Sequence, residues 1–401
     1  MPSIRFYGFD NDWEQRKLGE LALFNPKDEL PQTFEYVDLE SVVGTEMLSH
    51  RTEVKSSAPS RAQRLAHTGD LFYQTVRPYQ KNNYLFEKPD NNYVFSTGYA
   101  QMRPYVDGYF LLSLVQSERF VKVVLDNCTG TSYPAINAND LAEIEVAAPS
   151  NEKEAQKIGT IFRSIDNLIT LHQRKFEKLT NVKKSMLEKM FPQNGSSYPE
   201  IRFKGFTDPW EQRKLGELVD RVVRKNINNE STLPLTISAQ YGLVDQITYF
   251  NNRVASRDVS NYYLVLNGEF AYNKSTSDGY PFGAVKRLDL YEKGVLSTLY
   301  IVFAPKKEQQ IDSDYLTVFF DTDRWHKGVA ERAAEGARNH GLLNISAEDF
   351  FDIDLSVPKD IVEQKQIGAF IRQLDHLITL HQRELEKLQN IKKSMLEKMF
   401  V

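Results

Sequence analysis

The sequence predicts an α+β fold: two globular, mixed α/β modules separated by two long helices that form an antiparallel coiled coil, in a pseudo-twofold, circular repeat. Two observations lead to this prediction, an internal duplication and a three-and-four spacing of apolar residues inside the duplicated segments. We divide the chain into a first module at 1–148, a first helix at 149–195, a second module at 196–357 and a second helix at 358–401.

The duplication is strongest at the edges of the two modules. The block Trp13–Leu21 recurs unchanged as Trp210–Leu218, and Ile158–Phe191 aligns without gaps on Ile367–Phe400 with 24 of 34 positions identical. Inside the modules only faint echoes remain. Near copies around divergent interiors suggest two modules of one fold that act on different targets, although simple drift of the interiors stays an alternative.

The clearest interior echoes pair Gly69–Tyr73 with Gly268–Tyr272 and Ile136–Leu141 with Ile345–Phe350; Ser96–Tyr99 and Ser297–Tyr300 match weakly. The order of the repeats is also uneven. The strip Ile4–Leu21 corresponds to Ile201–Leu218, which follows the first long helix, but no such strip follows the second helix. We therefore expect the N-terminal strip to pack beside the C-terminus.

The two long helices are predicted to begin near Asn151 and Asp360. Each of these N-cap residues is followed three positions later by a glutamate, Glu154 or Glu363, which predicts a capping box. Apolar residues then recur as a single stripe over about 40 residues, or roughly 60 Å. Because one stripe needs a partner, we expect the two helices to pair antiparallel.

The module interiors contain short runs rich in Val, Ile, Tyr and Phe, such as Tyr109–Leu112 and Tyr262–Leu266, which are typical of strands between loops. A net charge of −4 argues against a protein that coats nucleic acid through positive charge alone. The charge is uneven, however: Arg51–Lys88 holds seven basic and three acidic residues. A basic face that binds DNA sequence-specifically therefore remains possible.

The motifs of several enzyme classes are absent from the sequence. It has no phosphate-binding loop, no Asn-Pro-Pro-Tyr/Phe methyltransferase motif and no Gly-x-Gly cradle for a nucleotide or S-adenosylmethionine. The single cysteine, Cys128, excludes an internal disulfide and a cysteine-rich zinc site, and it has no neighbouring His base. We predict no catalytic residue, no metal site and no cofactor in this chain. With no apolar span and no signal peptide pattern, we expect a cytoplasmic protein.

Loops in both modules combine the side chains that recognise nucleic acids. Arg, Gln and Asn can form paired hydrogen bonds with base edges, whereas Lys and Ser mostly bind phosphates. The candidates in the first module are Arg61, Arg64, Gln74, Arg77, Tyr79, Lys81 and Asn82, and those in the second are Asn273, Lys274, Ser275, Ser277, Tyr280, Arg338, Asn339 and His340. For any one of them a solvated polar loop is the simpler explanation, so only the combination predicts a DNA interface.

The chain resembles, over its whole length, the specificity subunit of type I restriction–modification enzymes. The resemblance rests on Trp-Glu-Gln-Arg-Lys-Leu-Gly-Glu-Leu at both module starts and on Pro149 or Pro358 before each helix. The Glu363–Ile367 segment, the Leu-Ile-Thr-Leu-His-Gln-Arg helices and their Lys-Lys-Ser-Met-Leu-Glu-Lys-Met-Phe ends complete it. The first helix departs slightly, with Glu154–Lys157 reading Glu-Ala-Gln-Lys in place of Glu-Gln-Lys-Gln.

The resemblance implies that each module is a target-recognition domain that reads one half of an asymmetric, bipartite DNA site. The helices would set the gap between the half-sites and bind two methyltransferase subunits, with His172, Arg174, His381 and Arg383 as predicted contacts. Those partners would hold S-adenosylmethionine and methylate adenine N6, and motor-nuclease restriction subunits would use ATP and Mg²⁺. Two alternatives stay open: a stand-alone DNA-binding regulator with two readers, and a coiled-coil scaffold that does not bind DNA.

Overall fold

The computed structural model describes residues 2–130, 132–193, 195–238, 241–333 and 341–400. The chain forms two units: the first combines Met1–Arg174 with His381–Val401, and the second is Lys175–Leu380. Each unit therefore contains one module, the beginning of the long helix that follows this module, and the end of the other long helix. The predicted α+β class is confirmed.

The module of the first unit contains twelve strands and four helices among its described residues: β1 (Trp13–Lys17), α1 (Leu18–Leu21), β2 (Ala22–Phe24), β3 (Thr33–Val37), β4 (Val42–Val43), β5 (Glu46–Met47), β6 (Arg51–Val54), β7 (Ala62–Leu65), β8 (Leu71–Gln74), β9 (Tyr84–Leu85), β10 (Tyr93–Ser96), β11 (Tyr99–Pro104), α2 (Gly108–Gln116), α3 (Glu118–Asp126), α4 (Ala138–Glu143) and β12 (Glu145–Pro149). The first long helix, α5 (Glu152–Lys189), follows.

The module of the second unit contains the following described elements: β13 (Glu211–Lys214), α6 (Leu215–Leu218), β14 (Val219–Arg221), β15 (Leu235–Ser238), β16 (Gly242–Asp245), α7 (Gln246–Phe250), β17 (Tyr263–Leu266), β18 (Phe270–Asn273), β19 (Ala284–Arg287), β20 (Lys293–Leu296), β21 (Ile301–Pro305), α8 (Ser313–Phe320), α9 (His326–Arg332), α10 (Ala347–Phe351) and β22 (Asp354–Val357). The second long helix is α11 (Ile361–Met399).

The repeated Trp-Glu-Gln-Arg-Lys block forms the base of each module. In the first unit it is β1, which pairs antiparallel with β12 from Trp13↔Pro149 to Lys17↔Glu145. In the second unit β13 pairs with β22 in the same way. Because β12 and β22 lead directly into the long helices, this two-stranded ribbon joins the start of each module to its end.

A four-stranded antiparallel sheet is common to both modules. Its strand order is β2-β11-β8-β9 in the first unit and β14-β21-β18-β19 in the second. The faint echo before β8 and β18 is confirmed as a structural repeat. Gly69 and Gly268 both have positive φ, 96° and 84°, and each donates its N–H to a backbone carbonyl, that of Phe86 at 2.7 Å or Leu288 at 2.8 Å.

The modules differ in their remaining strands. The first unit adds a four-stranded sheet, β6-β3-β10-β7, whereas the second has the separate pairs β15-β16 and β17-β20. The run Tyr262–Leu266 becomes strand β17 as expected, but the strand predicted at Tyr109–Leu112 is wrong. This run belongs to helix α2, which Asp107 caps by accepting from the N–H of Phe110 at 2.8 Å. Phe110 to Gln116 are all buried, so the helix shows no polar face in the sequence.

An aromatic cluster joins the module to both long helices within each unit. In the first unit Trp13 and Phe162 each pack on Phe400, with ring centroids 6.2 and 5.9 Å apart. In the second unit Phe191, the counterpart of Phe400, packs on Trp210 at 5.8 Å. The expected contact of the N-terminal strip with the C-terminus is confirmed.

Backbone hydrogen bonds fix this strip against the helix end. The N–H of Ser3 donates to the carbonyl of Lys398 at 2.9 Å, just as the N–H of Ile201 donates to that of Lys189 at 2.9 Å in the second unit. The end of α11 thus has the same neighbour in the first unit that the end of α5 has in the second. Each unit therefore contains the same contact between such a strip and the end of a long helix.

The long helices have 38 and 39 residues, as expected. Asn151 and Asp360 cap them, accepting from Lys153 N–H at 3.0 Å and Val362 N–H at 2.8 Å. The predicted capping boxes are wrong, because Glu154 instead binds side chains of the N-terminal strip. Among the described residues no helix is long and apolar enough to span a membrane.

Within each unit the helix segments run antiparallel. In the first unit Asp166 pairs with Lys392 at 2.6 Å, and Phe162 contacts Phe400 just after the end of α11. In the second unit Lys183 pairs with Asp375 at 2.6 Å. These two ion pairs occupy equivalent repeat positions, so each unit uses the same charged contact between its helix segments.

Candidate functional site

A hairpin loop in the first module contains most of the DNA-binding candidates predicted there. We call residues 75–83, between β8 and β9, the first hairpin loop; Pro78–Gln80 forms a 3-10 turn at its tip. Arg77 and Lys81 flank this turn, and both have left-handed backbones, with φ of 54° and 56°. Such conformations are costly for residues other than glycine and cluster at functional sites.

A second hairpin loop has the equivalent place in the second module. We give this name to residues 274–283, between β18 and β19. Ser277 and Tyr280 exchange backbone hydrogen bonds around Gly279, which has φ of 78°. Gly283 closes the loop, because a Cβ atom there would lie 2.1 Å from the carbonyl oxygen of Asn273. The two clusters that the sequence singled out therefore occupy one position in a duplicated sheet.

Both loops are supported by the chain segment that precedes the last helix of the module. In the first unit the N–H of Arg77 donates to Pro134 O at 2.8 Å and that of Ile136 to Thr75 O at 3.0 Å. In the second, the N–H of Thr276 donates to Gly341 O at 2.7 Å. These backbone bonds hold the loop stems without using the side chains at the loop tips.

The tip of the first hairpin loop exposes an aromatic ring next to two cationic side chains, each of which has a partner within the module. Tyr79 is 49% exposed. The Arg77 guanidinium lies 4.5 Å from the centroid of the Tyr133 ring, and Lys81 forms an ion pair with Glu118 at 2.6 Å. Asn82 accepts a hydrogen bond from the N–H of Gly44 at 2.8 Å, which ties the loop to the β4-β5 hairpin.

Three candidates of the first module lie outside the tip. Arg61 is exposed, and its carbonyl accepts from Thr97 N–H near the stem of the loop. Arg64 lies half-buried on β7; burial lowers the pKa of its guanidinium, and its Nε has no hydrogen-bond partner among the described residues. Gln74 must be corrected: it is buried, and its amide NH₂ already donates to Val76 O and Gln80 Oε1. Its NH₂ group therefore supports the loop from inside, while its Oε1 has no hydrogen-bond partner among the described residues.

The second hairpin loop presents fewer free charges than its sequence suggested. Asn273 Oδ1 accepts from Ser275 N–H at 3.0 Å, and Lys274 Nζ donates to Ile345 O at 3.3 Å. Ser275 and Ser277 are exposed, and Tyr280 is half-buried. The exposed hydroxyls and the tyrosine are therefore the surface of this loop. The remaining candidates, Arg338, Asn339 and His340, lie outside the described residues.

The candidates on the long helices divide into two kinds. Arg174 and Arg383 are exposed. His172 and His381 are half-buried in the first unit and face each other, with 3.1 Å between their Nδ1 atoms. The histidines thus contact one another, and the two arginines are the better candidates for a partner surface.

Sequence reasoning missed a buried carboxylate that is repeated in both units. Glu154 is fully buried and accepts from Arg5 Nε at 2.6 Å, Arg5 Nη2 at 2.8 Å and Trp13 Nε1 at 3.3 Å. Glu363 accepts from Arg202 and Trp210 with nearly the same distances. The hydrogen bond with the glutamate raises the pKa of each arginine. The signal was present, because all of these residues are repeated in the sequence.

A half-buried charge cluster anchors the second module on the helix segments of its unit. Lys183 contacts Asp321 as well as Asp375, and Asp321 also pairs with Lys286 at 2.7 Å. Burial opposes the charge of Asp321, but Lys286 and Lys183 outweigh it and hold the pKa of this carboxyl below its usual value. In the first unit Asp166 instead accepts from the Tyr109 hydroxyl at 3.0 Å.

The two hairpin loops offer surfaces for a ligand, and the contacts described above hold these loops in place. Across the described parts of the chain, no three or more His, Cys, Asp or Glu side chains form a group that could hold a metal ion. Cys128 is half-buried, and burial raises the pKa of its thiol. What the fold does provide is a pair of equivalent loops of unlike sequence, one in each unit.

The family of the chain follows from a family model for the type I restriction modification DNA specificity domain, which matches residues 10–181 and again 207–390. The two matches together cover most of the chain and contain one hairpin loop each. The chain therefore belongs to the type I restriction–modification specificity subunits, a non-catalytic class of subunit associated with DNA sequence specificity.

The chain is also similar to individual proteins. The specificity subunit of the type I restriction enzyme MjaVIII from Methanocaldococcus jannaschii is 24% identical over 308 residues, 72% of this chain and 68% of the relative. The S subunit of a type I system from M. genitalium has a TM-score of 0.64 at 15% identity and covers 100% of this chain and 99% of its own. The HsdS subunit from Thermoanaerobacter tengcongensis has a TM-score of 0.46 at 20% identity, with 98% of each chain covered. The similarity to the M. genitalium subunit supports the fold.

Proposed function

We propose that each module reads one half of an asymmetric, bipartite DNA site, the first through the first hairpin loop and the second through the second hairpin loop. The observation that carries this proposal is the equivalence of the two loops. They occupy the same place in a repeated sheet and have the same stem support, but their tips share no sequence. A common frame with different tips is what two readers of different short sequences require.

The chemistry of the tips fits base and backbone contacts. Tyr79 offers an exposed ring for a base or sugar, and Ser275 and Ser277 offer hydroxyls for phosphates or base edges. Arg61 is an exposed cation near the stem of the first loop. The half-buried Arg64 has an Nε without a hydrogen-bond partner among the described residues, and an anionic or hydrogen-bond-accepting ligand would offset the penalty that burial places on its charge.

The repeated helices supply two similar surfaces for two methyltransferase subunits. Leu171 and its repeat counterpart Leu380 are 46% and 44% exposed, in separate units. Arg174 and Arg383 follow them on the same helices and are exposed as well. Apolar side chains that stay exposed at identical repeat positions favour a common protein partner. Those subunits would carry S-adenosylmethionine, and restriction subunits would carry ATP and Mg²⁺.

The reading of two half-sites is tested by mapping adenine methylation on DNA with the chain and its methyltransferase. Single-molecule sequencing is expected to show one two-part motif. Tyr79→Ala should relax the sequence preference in one half only, and Ser277→Ala combined with Tyr280→Ala should relax it in the other. Each loop variant is the matched control for the other. A single continuous motif, or changes in both halves from one loop, would disprove the proposal.

The docking of the partner subunits is tested separately by native mass spectrometry. Leu171→Ser and Leu380→Ser are each expected to reduce the bound methyltransferase copies from two to one, and the double variant should bind none. Lys387→Ser, an exposed change elsewhere on α11, serves as the control and should keep two copies. Two bound copies in the double variant would rule out these leucines as the docking surface.

A further inference from the structure

The two histidines of the repeated Leu-Ile-Thr-Leu-His-Gln-Arg motif meet inside the first unit. His172 on α5 and His381 on α11 are 209 positions apart in sequence, but their Nδ1 atoms are 3.1 Å apart. Their ring centroids are separated by 5.1 Å and the rings are inclined by 65°. Both side chains are half-buried, so an ion from solvent can reach them. The sequence showed no metal site because no ligand cluster accompanies either histidine along the chain.

We propose that this pair binds one late transition-metal ion, such as Zn²⁺, Ni²⁺ or Cu²⁺, through both Nδ1 atoms. Imidazole nitrogens are preferred ligands of these ions and bind zinc at about 2.0–2.1 Å. Two nitrogens that bind one ion at this distance, at angles between a right angle and the tetrahedral angle, lie about 2.8–3.4 Å apart. The separation of the two Nδ1 atoms in the structure, 3.1 Å, falls in this range. The rings must turn so that both Nδ1 lone pairs point at the ion and no longer along the line between the two nitrogens.

Metal binding at this pair does not change the number of protons on the two rings. A hydrogen bond between the two Nδ1 atoms requires that one of them carries a proton and that the other accepts it with its lone pair. When the ion binds, the donor ring shifts its proton from Nδ1 to Nε2, and both Nδ1 lone pairs become available. Each ring then carries one proton, on Nε2, and the step releases none.

The site has two protein ligands, and this determines how it behaves. Among the described residues no third His, Cys, Asp or Glu completes a metal group there, so water fills the other positions. Structural zinc sites use four protein ligands. The ion is therefore exchangeable and holds α5 to α11 inside the first unit only while it is bound. This inference is independent of the proposed DNA recognition.

The test uses the full chain, freed of metal with a chelator, and Cu²⁺ and Zn²⁺ as probes. Electron paramagnetic resonance of the Cu²⁺ form is expected to show coupling to two imidazole nitrogens at one equivalent, and Zn²⁺ titration calorimetry should show one saturable site. His172→Gln and His381→Gln should each weaken Zn²⁺ binding at least tenfold. His376→Gln, a change at an exposed histidine elsewhere on α11, is the matched control and should bind like the original chain.

Circular dichroism without metal checks that the variants are folded, and the spectrum of the original chain tests the proposal even if a variant unfolds. Coupling to one nitrogen or to none in that spectrum would overturn the proposal. Unchanged Zn²⁺ affinity in either glutamine variant would overturn it as well. A thermal unfolding midpoint of the original chain that rises with Zn²⁺, while that of His172→Gln does not, would support it.

Discussion

The buried glutamates offer the most direct test of how each module is joined to its helix. Glu154 has no exposed surface, while the side chain of its partner Arg5 is 14% exposed. The substitution Glu154→Ala leaves the guanidinium of Arg5 and the Nε1–H of Trp13 without their acceptor. Breaking a buried ion pair by removing one partner typically costs about 3–5 kcal/mol.

The lower end of this range applies here. Arg5 already reaches solvent, so its charge can be partly rehydrated once the carboxylate is gone. We therefore expect a loss of about 3 kcal/mol in the free energy that holds the N-terminal strip in place. At about 1.4 kcal/mol per factor of ten, local opening of the strip becomes on the order of 100-fold more frequent.

Hydrogen–deuterium exchange of the full chain, followed by peptide, measures this opening directly. In Glu154→Ala the amides of Ser3 and Ile4, which donate to Lys398 O, should exchange on the order of 100-fold faster. The matched variant Glu363→Ala should accelerate the exchange of Ile201 instead. Less than a tenfold change, or equal acceleration of both strips in one variant, would refute the assignment of a local clamp to each unit.

Three further predictions follow from the structure. Because the pKa of Asp321 is lowered in the fold, its ion pairs should stabilise the second unit fully above about pH 4 and lose this contribution as the pH falls further. Urea unfolding between pH 7 and pH 3 should therefore show a smaller loss of unfolding free energy in Lys183→Met than in the original chain. An equal loss in the two chains would contradict this prediction. Exchanging residues 210–357 with those of a relative should change one half of the methylated motif, and a change in both halves would exclude modular reading. Inserting seven residues after Thr180 should change the gap between the halves or abolish methylation, whereas an unchanged gap in an active complex would reject the helices as spacers.

Local sequence patterns predicted much of the fold. The capping residues Asn151 and Asp360, the apolar stripe and the near-identical repeat predicted two long helices, and both were found with nearly the expected length. A helix start and a helical stripe are properties of consecutive residues, so they can be recognised without knowing what packs against them. The repeat also predicted that the N-terminal strip needs the C-terminal helix end.

Local sequence patterns did not predict the structure where an element is buried on all sides, because such an element has no polar face. The run Tyr109–Leu112 has no polar face because α2 is buried on all sides, so its periodicity could not show a helix. Gln74 has the right chemistry for reading a base, but the fold turns its amide inward to Val76 and Gln80. Residue type alone does not say which way a strand faces at its last position.

The sequence by itself determined the duplication, the helices, the family and the two stretches of chain that became the hairpin loops. Only the tertiary structure decided that these loops occupy one equivalent position, that Glu154 and Glu363 bind an arginine and a tryptophan, and that His172 meets His381. The physical reason is the distance along the chain. Contacts between residues more than 100 positions apart depend on how strands and helices pack, and no local spacing encodes them.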